Sequence, residues 1–168
     1  MSAPKTQRPL PSPIVQPPLT YPPLDYDGEL PCCLHMERAV LGCLIIDNTV
    51  WEQAKGLRKS DFLLDSHQRI FQVIARFMGE GNPIDYLIVY EELKKTKEID
   101  TIGGPAYIAY LSEGIPRNFN IESYVLVLRD YGRLRRIIGC CHNAIVRAYD
   151  CSSDPLEIVT SLQKQLGL

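Results

Sequence analysis

The chain has 168 residues, of which 45% are hydrophobic and 23% are charged. This length and composition are typical of one globular domain with a tail, and they exclude a fibrous or wholly disordered chain. The net charge of −2 excludes the general basic excess that drives non-specific binding to nucleic acid, so any contact with DNA must be local.

Proline dominates the first part of the chain. Nine of the thirteen prolines lie in residues 1–31, including the pairs Pro17-Pro18 and Pro22-Pro23. Because proline fixes φ and has no backbone N–H, we predict an extended, disordered tail over residues 1–31. The alternative hypothesis is that a Pro-x-x-Pro segment in this tail docks a partner.

From residue 32 onward, apolar residues recur with the period of a helix and predict a globular head of about five helices over residues 32–118. The first two predicted helices cover residues 34–46 and 50–55. The third is capped by Asp65 or Ser66 and ends at Gly79 and Gly81. The fourth begins at Pro83 and Asp85, and the fifth begins at Gly103-Gly104-Pro105. The positions expected on the buried faces are Met36, Ala39, Val40, Cys43, Leu44, Ile70, Phe71, Ile74, Phe77, Met78, Leu87, Ile88, Leu93, Tyr107, Ile108 and Leu111.

The sixth predicted helix is unusually long, running from about residue 121 to residue 149 without a proline. Its length is on the order of 40 Å, so we expect its far half to project from the head and to need a partner surface. Asp154-Pro155 then predicts the start of a last helix over residues 156–166. Residues 119–168 are therefore expected to form a helical hairpin, and the fold class is all-α because no segment resembles a strand.

The motifs of common enzymes are missing from this sequence. It contains no Gly-x-x-x-x-Gly-Lys-Ser/Thr, no Gly-x-Ser-x-Gly and no His-Glu-x-x-His. We therefore expect no catalytic residue and no cofactor site in this chain. It also has no export signal and no apolar run long enough to span a membrane, so we expect a cytoplasmic protein with reduced cysteines and no membrane partner.

Cysteine and histidine pairs raise the question of a metal site. Cys32-Cys33 with His35, and Cys140-Cys141 with His142, could together supply zinc ligands. Ligand pairs in structural zinc sites are usually separated by two to four residues, so we predict no metal site. Cys43 and Cys141 are instead expected to be small apolar residues of the helix stripes.

Five arginines make the long helix the most basic segment: Arg129, Arg133, Arg135, Arg136 and Arg147. Such a helix can hold phosphates, but such arginines more often form a solvated face or pair with carboxylates at an interface. Arg135 falls within the apolar stripe, and we expect it to contact the hairpin or a neighbouring subunit.

Six short strings, in this order, resemble the amino-terminal domain of the DnaB family of replicative DNA helicases. They are His35-Met36-Glu37-Arg38-Ala39-Val40-Leu41-Gly42 with Ile46-Asp47-Asn48; Asp61-Phe62; His67-Gln68-Arg69-Ile70-Phe71; Gly81-Asn82-Pro83-Ile84-Asp85; Gly103-Gly104-Pro105-Ala106-Tyr107-Ile108-Ala109-Tyr110-Leu111; and Asn120-Ile121-Glu122-Ser123-Tyr124 with Arg135-Arg136. Any one string is weak, but their shared order and spacing are specific.

The resemblance implies a head and hairpin in which the hairpin pairs two subunits, with three such pairs forming a collar above a hexameric motor ring. It also implies docking of primase, an influence of the helicase loader, and contact with DNA only indirectly, through the ring. ATP and Mg²⁺ would belong to a motor domain that this chain lacks, so we expect no helicase activity from this chain alone. The residues predicted at the subunit interface are Tyr131, Arg135, Ile138, Cys141, Ile145, Tyr149, Ile158 and Leu162.

Three other readings stay open at this point. The chain could be a fragment of a complete helicase whose ATPase lies downstream of Leu168. It could be a stand-alone protein that regulates or poisons the helicase ring of a host. It could also be the related carboxy-terminal domain of primase, although the strings around His67 and Tyr107 favour the helicase.

Overall fold

The computed structural model describes residues 28–115, 120–151 and 153–167, which form seven α-helices and two 3₁₀ turns, with no strand in these ranges. The helices are α1 (Leu34–Ile46), α2 (Trp51–Ala54), α3 (Asp65–Gly79), α4 (Tyr86–Lys95), α5 (Gly104–Ser112), α6 (Ile121–Tyr149) and α7 (Pro155–Leu166), and the 3₁₀ turns are Asn48–Val50 and Lys59–Asp61. The prediction of an all-α fold is confirmed. The prediction for the proline-rich tail lies outside the described residues, except for 28–31.

Short polar side chains cap three of the seven α-helices, and two of these caps, Asp85 and Asp154, were predicted from the sequence. The carboxylate of Asp85 accepts a hydrogen bond from the backbone N–H of Ile88, and that of Asp154 accepts one from Leu156. The start of α3 differs, because Asp65 is its first helical residue and neither Asp65 nor Ser66 is the cap. The Asp65 carboxylate instead accepts a bond from Nε of Arg69, one turn along the helix.

The core of the head is built around α1, whose residues 40–45 are all buried. Helices α3, α5 and α6 pack against it with Ile70, Ile108 and Leu128, each of them fully buried. In α4 the expected core position Leu87 is wrong, since its side chain is 63% exposed, while Val89 is fully buried. Val89 lies one turn before the buried Leu93, so the inward stripe of α4 starts two residues later than predicted.

Two glycines allow close contact between elements of the head. A Cβ atom on Gly42 would lie 2.0 Å from the carbonyl oxygen of Leu111, where α1 crosses α5. A Cβ atom on Gly132 would lie 2.3 Å from Oδ1 of Asp61, where α6 crosses the second 3₁₀ turn. Both distances are far inside van der Waals contact, so these crossings require glycine.

Helix α6 belongs to both parts of the fold. Its first half completes the core of the head, where Ile121, Val125 and Leu128 are buried. Its second half leaves the head and packs against α7, which confirms the predicted hairpin. Within the described residues, no helix is long and apolar enough to cross a membrane.

Candidate interaction surface of the helical hairpin

The inner seam of the hairpin is formed by one face of each helix. Cys140, Ala144 and Arg147 of α6 face Ile158 and Leu162 of α7 across a cavity of about 200 Å³. The turn between the helices is held by a 3.3 Å hydrogen bond from Nε of Arg147 to the hydroxyl of Ser153. The seam therefore fixes which face of α6 points away from α7.

An apolar stripe runs along the far half of α6, on a face that points away from α7. Leu134, Ile138, Cys141, Ile145 and Tyr149 follow one another at spacings of four, three, four and four residues, which places them on one face of the helix. At about 100° per residue, this face is turned roughly 130° from both the core side and the α7 side. We call these five residues the outer stripe.

Most of the outer stripe is open to solvent. Leu134 is 45% exposed, Ile138 is 40% exposed and Tyr149 is 72% exposed, while Cys141 and Ile145 are half-buried. The segment 131–149 contains no acidic residue. An apolar face of this length with so little cover is typical of a surface that binds another protein.

The eight residues predicted at an interface are divided among three places. Tyr131, Ile138, Cys141, Ile145 and Tyr149 lie on or beside the outer stripe, and Ile158 and Leu162 line the inner seam. Arg135 is bound within its own chain, where Nη1 donates to the carbonyl of Pro31 at 2.6 Å and Nη2 to that of Ser60 at 3.1 Å. Arg135 thus fastens α6 to the segments before α1 and α3.

Sequence reasoning missed two exposed apolar residues of this surface, Leu134 and the neighbouring Ile137, which is 45% exposed. The signal for Leu134 was present, because it lies four residues before Ile138. Cys141 lies on the outer stripe and is half-buried there, as expected of a residue on an apolar stripe. Cys140 is the buried cysteine of this pair, since it faces α7.

A polar network lies at the centre of the head. Nδ1 of His67 is 2.7 Å from Oε2 of Glu37, and Nε2 of His67 is 2.7 Å from the hydroxyl of Tyr107. The second carboxylate oxygen of Glu37 accepts a 2.7 Å bond from the backbone N–H of Leu63. The three side chains come from α1, α3 and α5, so the network joins three helices.

This network has the composition of a proton relay, but its carboxylate and imidazole are closed off from solvent. The side chains of Glu37 and His67 are 0% and 1% exposed. Burial raises the pKa of Tyr107, which keeps its hydroxyl protonated and able to donate to His67. We therefore interpret the network as a connection between helices rather than as a catalytic site.

No group of three or more His, Cys, Asp or Glu residues close enough to hold a metal ion occurs within 28–115, 120–151 and 153–167. Cys43 is buried as expected, and burial raises its pKa to about 12, so its thiol is a poor metal ligand and nucleophile.

A head of short helices followed by a long helix with one uncovered apolar face defines an all-α domain suited to assembly. Residues 29–130 match the family of the DnaB-like helicase N terminal domain, and the chain belongs to this family. The resemblance seen in the sequence is therefore confirmed.

Curated relatives of this chain are replicative DNA helicases. The chain is 34% identical over 123 residues to the replicative DNA helicase DnaB of Buchnera aphidicola subsp. Baizongia pistaciae, and 34% identical over 128 residues to that of Pasteurella multocida. These alignments cover 73% and 76% of this chain, but only 27% of each relative. The chain thus matches about a quarter of the length of these helicases.

Solved structures show the same fold. The N-terminal domain of DnaB helicase from Mycobacterium tuberculosis matches with a TM-score of 0.75 and 26% identity, over 82% of this chain and 98% of that domain. A DnaB-like replicative helicase, described together with its interactions with primase, matches with a TM-score of 0.66 over 80% of this chain and 31% of that one. The second match, at 16% identity, concerns the fold alone.

Proposed function

We propose that this domain is an assembly and docking module of a replicative DNA helicase and acts in DNA replication. In this proposal it pairs with a second copy of itself through the outer stripe of α6, and it carries no catalytic residue of its own. ATP hydrolysis would belong to a motor outside this domain. The observation that carries the proposal is the exposed outer stripe, which neither the head nor α7 covers.

Pairing would cover apolar surface of α6 that is exposed to solvent in the isolated chain. A long helix is stabilised in proteins mainly by packing of its apolar face, and the far half of α6 packs against α7 on one side. Burial of apolar surface contributes about 25 cal/mol per Å², so side chains such as Leu134, Ile138 and Tyr149 favour association. A contact between two copies of one surface has two-fold symmetry, which makes the dimer the natural product. Three such dimers would form the collar that the family resemblance implies.

The pairing is tested by placing a charge in the stripe. The change Ile145→Asp would leave a carboxylate without a partner in a buried apolar contact, and we expect the dissociation constant of the dimer to rise by about 100-fold or more. The matched control is Leu87→Asp, which changes an exposed apolar residue of α4 on the head. Sedimentation equilibrium should show dissociation of the first variant and none of the second. Unchanged assembly of Ile145→Asp would remove the stripe from the interface.

Docking of primase is the second part of the proposal. It is supported by membership of the DnaB family and by the fold shared with a helicase that is described with its interactions with primase. The helicase motor or a loader would be further partners, with docking positions on the same module. Isothermal titration of this chain with the primase encoded by the same genome tests the idea. We expect saturable binding, and heats indistinguishable from dilution would contradict it.

A further inference from the structure

A cluster of four arginines lies where α6 passes the base of the head. Arg129, Arg133 and Arg136 of α6 follow at spacings of four and three residues and line one side of a cavity of about 180 Å³. Arg58 lines the other side, together with Gly56 and Asp61. We call this cavity the arginine pocket.

The charge of the arginine pocket is poorly balanced. Among the described residues only Arg133 has an ion-pair partner, the exposed Asp130 on its own helix, at 3.1 Å. Asp61 is buried and its Oδ2 accepts a bond from the backbone N–H of Arg58 at 2.8 Å, but no ion pair within 4.0 Å joins its carboxylate to the pocket guanidinium groups. Four cations and one carboxylate leave the lining with a net positive charge of three.

The fold forces these charges together. Gly132 allows α6 to approach the backbone of Asp61, as its absent Cβ would lie 2.8 Å from the Cα atom of Asp61. This close crossing brings the guanidinium groups of α6 against the segment that carries Arg58. Like charges held near one another destabilise a fold unless an anion neutralises them.

We propose that the arginine pocket binds a phosphate group. Guanidinium groups present planar pairs of N–H donors that match the oxygens of a phosphate, and several of them together suit its higher charge better than that of a single carboxylate. The described lining of the pocket contains no aromatic residue, so it offers no aromatic ring on which a base could stack. A phosphate would therefore be recognised without regard to nucleotide sequence. The site is independent of the proposed pairing surface, and a DNA strand held there would be a direct contact that the sequence did not predict.

Fluorescence anisotropy of the full chain with labelled oligothymidylate and oligodeoxyadenylate tests the proposal. We expect both strands to bind with similar affinity. The changes Arg129→Gln and Arg136→Gln, made separately, should each weaken binding severalfold and lower the log–log salt slope by about one. Arg136→Lys keeps the charge but loses the planar donors, so it should fall between wild type and Arg136→Gln.

The matched control is Arg76→Gln, which removes one positive charge from the head outside the arginine pocket. Arg76 pairs with Glu92, which keeps Lys95 as its second partner in the variant. Equal weakening by Arg76→Gln would show general charge attraction and would overturn the proposal. Thermal melts monitored by circular dichroism verify folding of each variant. If Arg129→Gln fails to fold, Arg136→Gln and the exposed Arg133→Gln report on the same pocket.

A second titration decides the source of the phosphate. Inorganic phosphate or pyrophosphate is added to the isotope-labelled wild-type chain, and the NMR signals of the arginine side-chain N–H groups are followed. Shifts of the pocket arginines with these ions but no binding of either oligonucleotide would support the site with a free phosphate or nucleotide as its ligand. Binding of both would assign the site to a DNA strand. No response to any phosphate probe, or a response to oligoglutamate alone, would overturn the proposal, the latter in favour of an acidic protein segment.

Discussion

The carboxylate of Glu37 and the imidazole of His67 are joined by a 2.7 Å hydrogen bond, and neither side chain is exposed to solvent by more than 1%. The assignment that satisfies every atom has His67 donating from Nδ1 to Glu37 and accepting at Nε2 from the hydroxyl of Tyr107. These three residues belong to three separate strings of the family resemblance. In this chain, part of the sequence pattern that resembles the family is thus one network in the core of the head.

Removal of the imidazole should destabilise the head. His67→Phe would leave the carboxylate of Glu37 buried with only the backbone N–H of Leu63 as a partner. We expect the free energy of unfolding to fall by about 3 kcal/mol, because a buried charge that loses its partner is costly. Urea denaturation followed by circular dichroism measures this change.

Two further variants distinguish the loss of the network's hydrogen bonds from the general effect of replacing a side chain. Glu37→Gln can still accept from Leu63, and it can donate to Nδ1 of His67 once the imidazole carries its proton on Nε2, so the loss of stability should be about 1 kcal/mol. His35→Phe changes an exposed histidine at the start of α1 and should have little effect. A His67→Phe variant as stable as His35→Phe would show that the network contributes nothing to stability.

Substitution of two glycines of α6 tests its close crossing with the second 3₁₀ turn. Gly132→Ala would place a methyl group against Asp61, and we expect a loss of about 1–3 kcal/mol. Gly139→Ala puts the same methyl group into open space on the same helix and should stabilise the chain by about 0.5–1 kcal/mol. Opposite signs in thermal melts would agree with this description, and equal effects of the two changes would contradict it.

The carboxylate of Glu92 should make part of the stability depend on acid pH. Hydrogen bonds from Lys95 and then Arg76 hold its pKa below the ordinary glutamate value in the folded chain. A lowered folded-state pKa stabilises the protein above the unfolded-state pKa, and this contribution is lost as the pH falls through the folded-state value. Glu92→Gln should therefore reduce stability at neutral pH and flatten its decline in acid.

The neighbouring change Glu91→Gln is the control for Glu92, since the Glu91 carboxylate is exposed and lies 4.0 Å from its one described partner, Lys94. Urea midpoints measured from neutral to acid pH compare the two variants. If Glu91→Gln flattened the acid decline as much as Glu92→Gln, the ion pairs of Glu92 would not be its cause.

The sequence predicted the helices well because their signals are local. The bounds of α1 and α6 follow from apolar period and from turn residues at their ends, both of which depend on neighbours within a few positions. The start of α3 was misjudged because Asp65 uses its carboxylate on Arg69 rather than on the backbone. A helix start is thus predictable only when the polar side chain has no better local partner.

Hydrogen bonds between residues that are distant in the sequence could not be predicted from apolar periodicity. Glu37 was not expected inside the head, since a carboxylate is buried only when distant residues satisfy it, here His67 and Leu63. Arg135 was assigned to an interface because it falls in the apolar stripe, but carbonyl groups from two remote segments bind it. The outer stripe itself was largely foreseen, because an overlong helix with apolar period already implies an uncovered face.

The most direct test of the proposed function is the mass of the unmodified chain in solution. The monomer is 19.0 kDa, and pairing through the outer stripe predicts a species of about twice that mass in sedimentation equilibrium at micromolar concentration. A larger assembly of such pairs at higher concentration would agree with a collar. A mass that stays at that of the monomer up to high micromolar concentration would contradict pairing through α6.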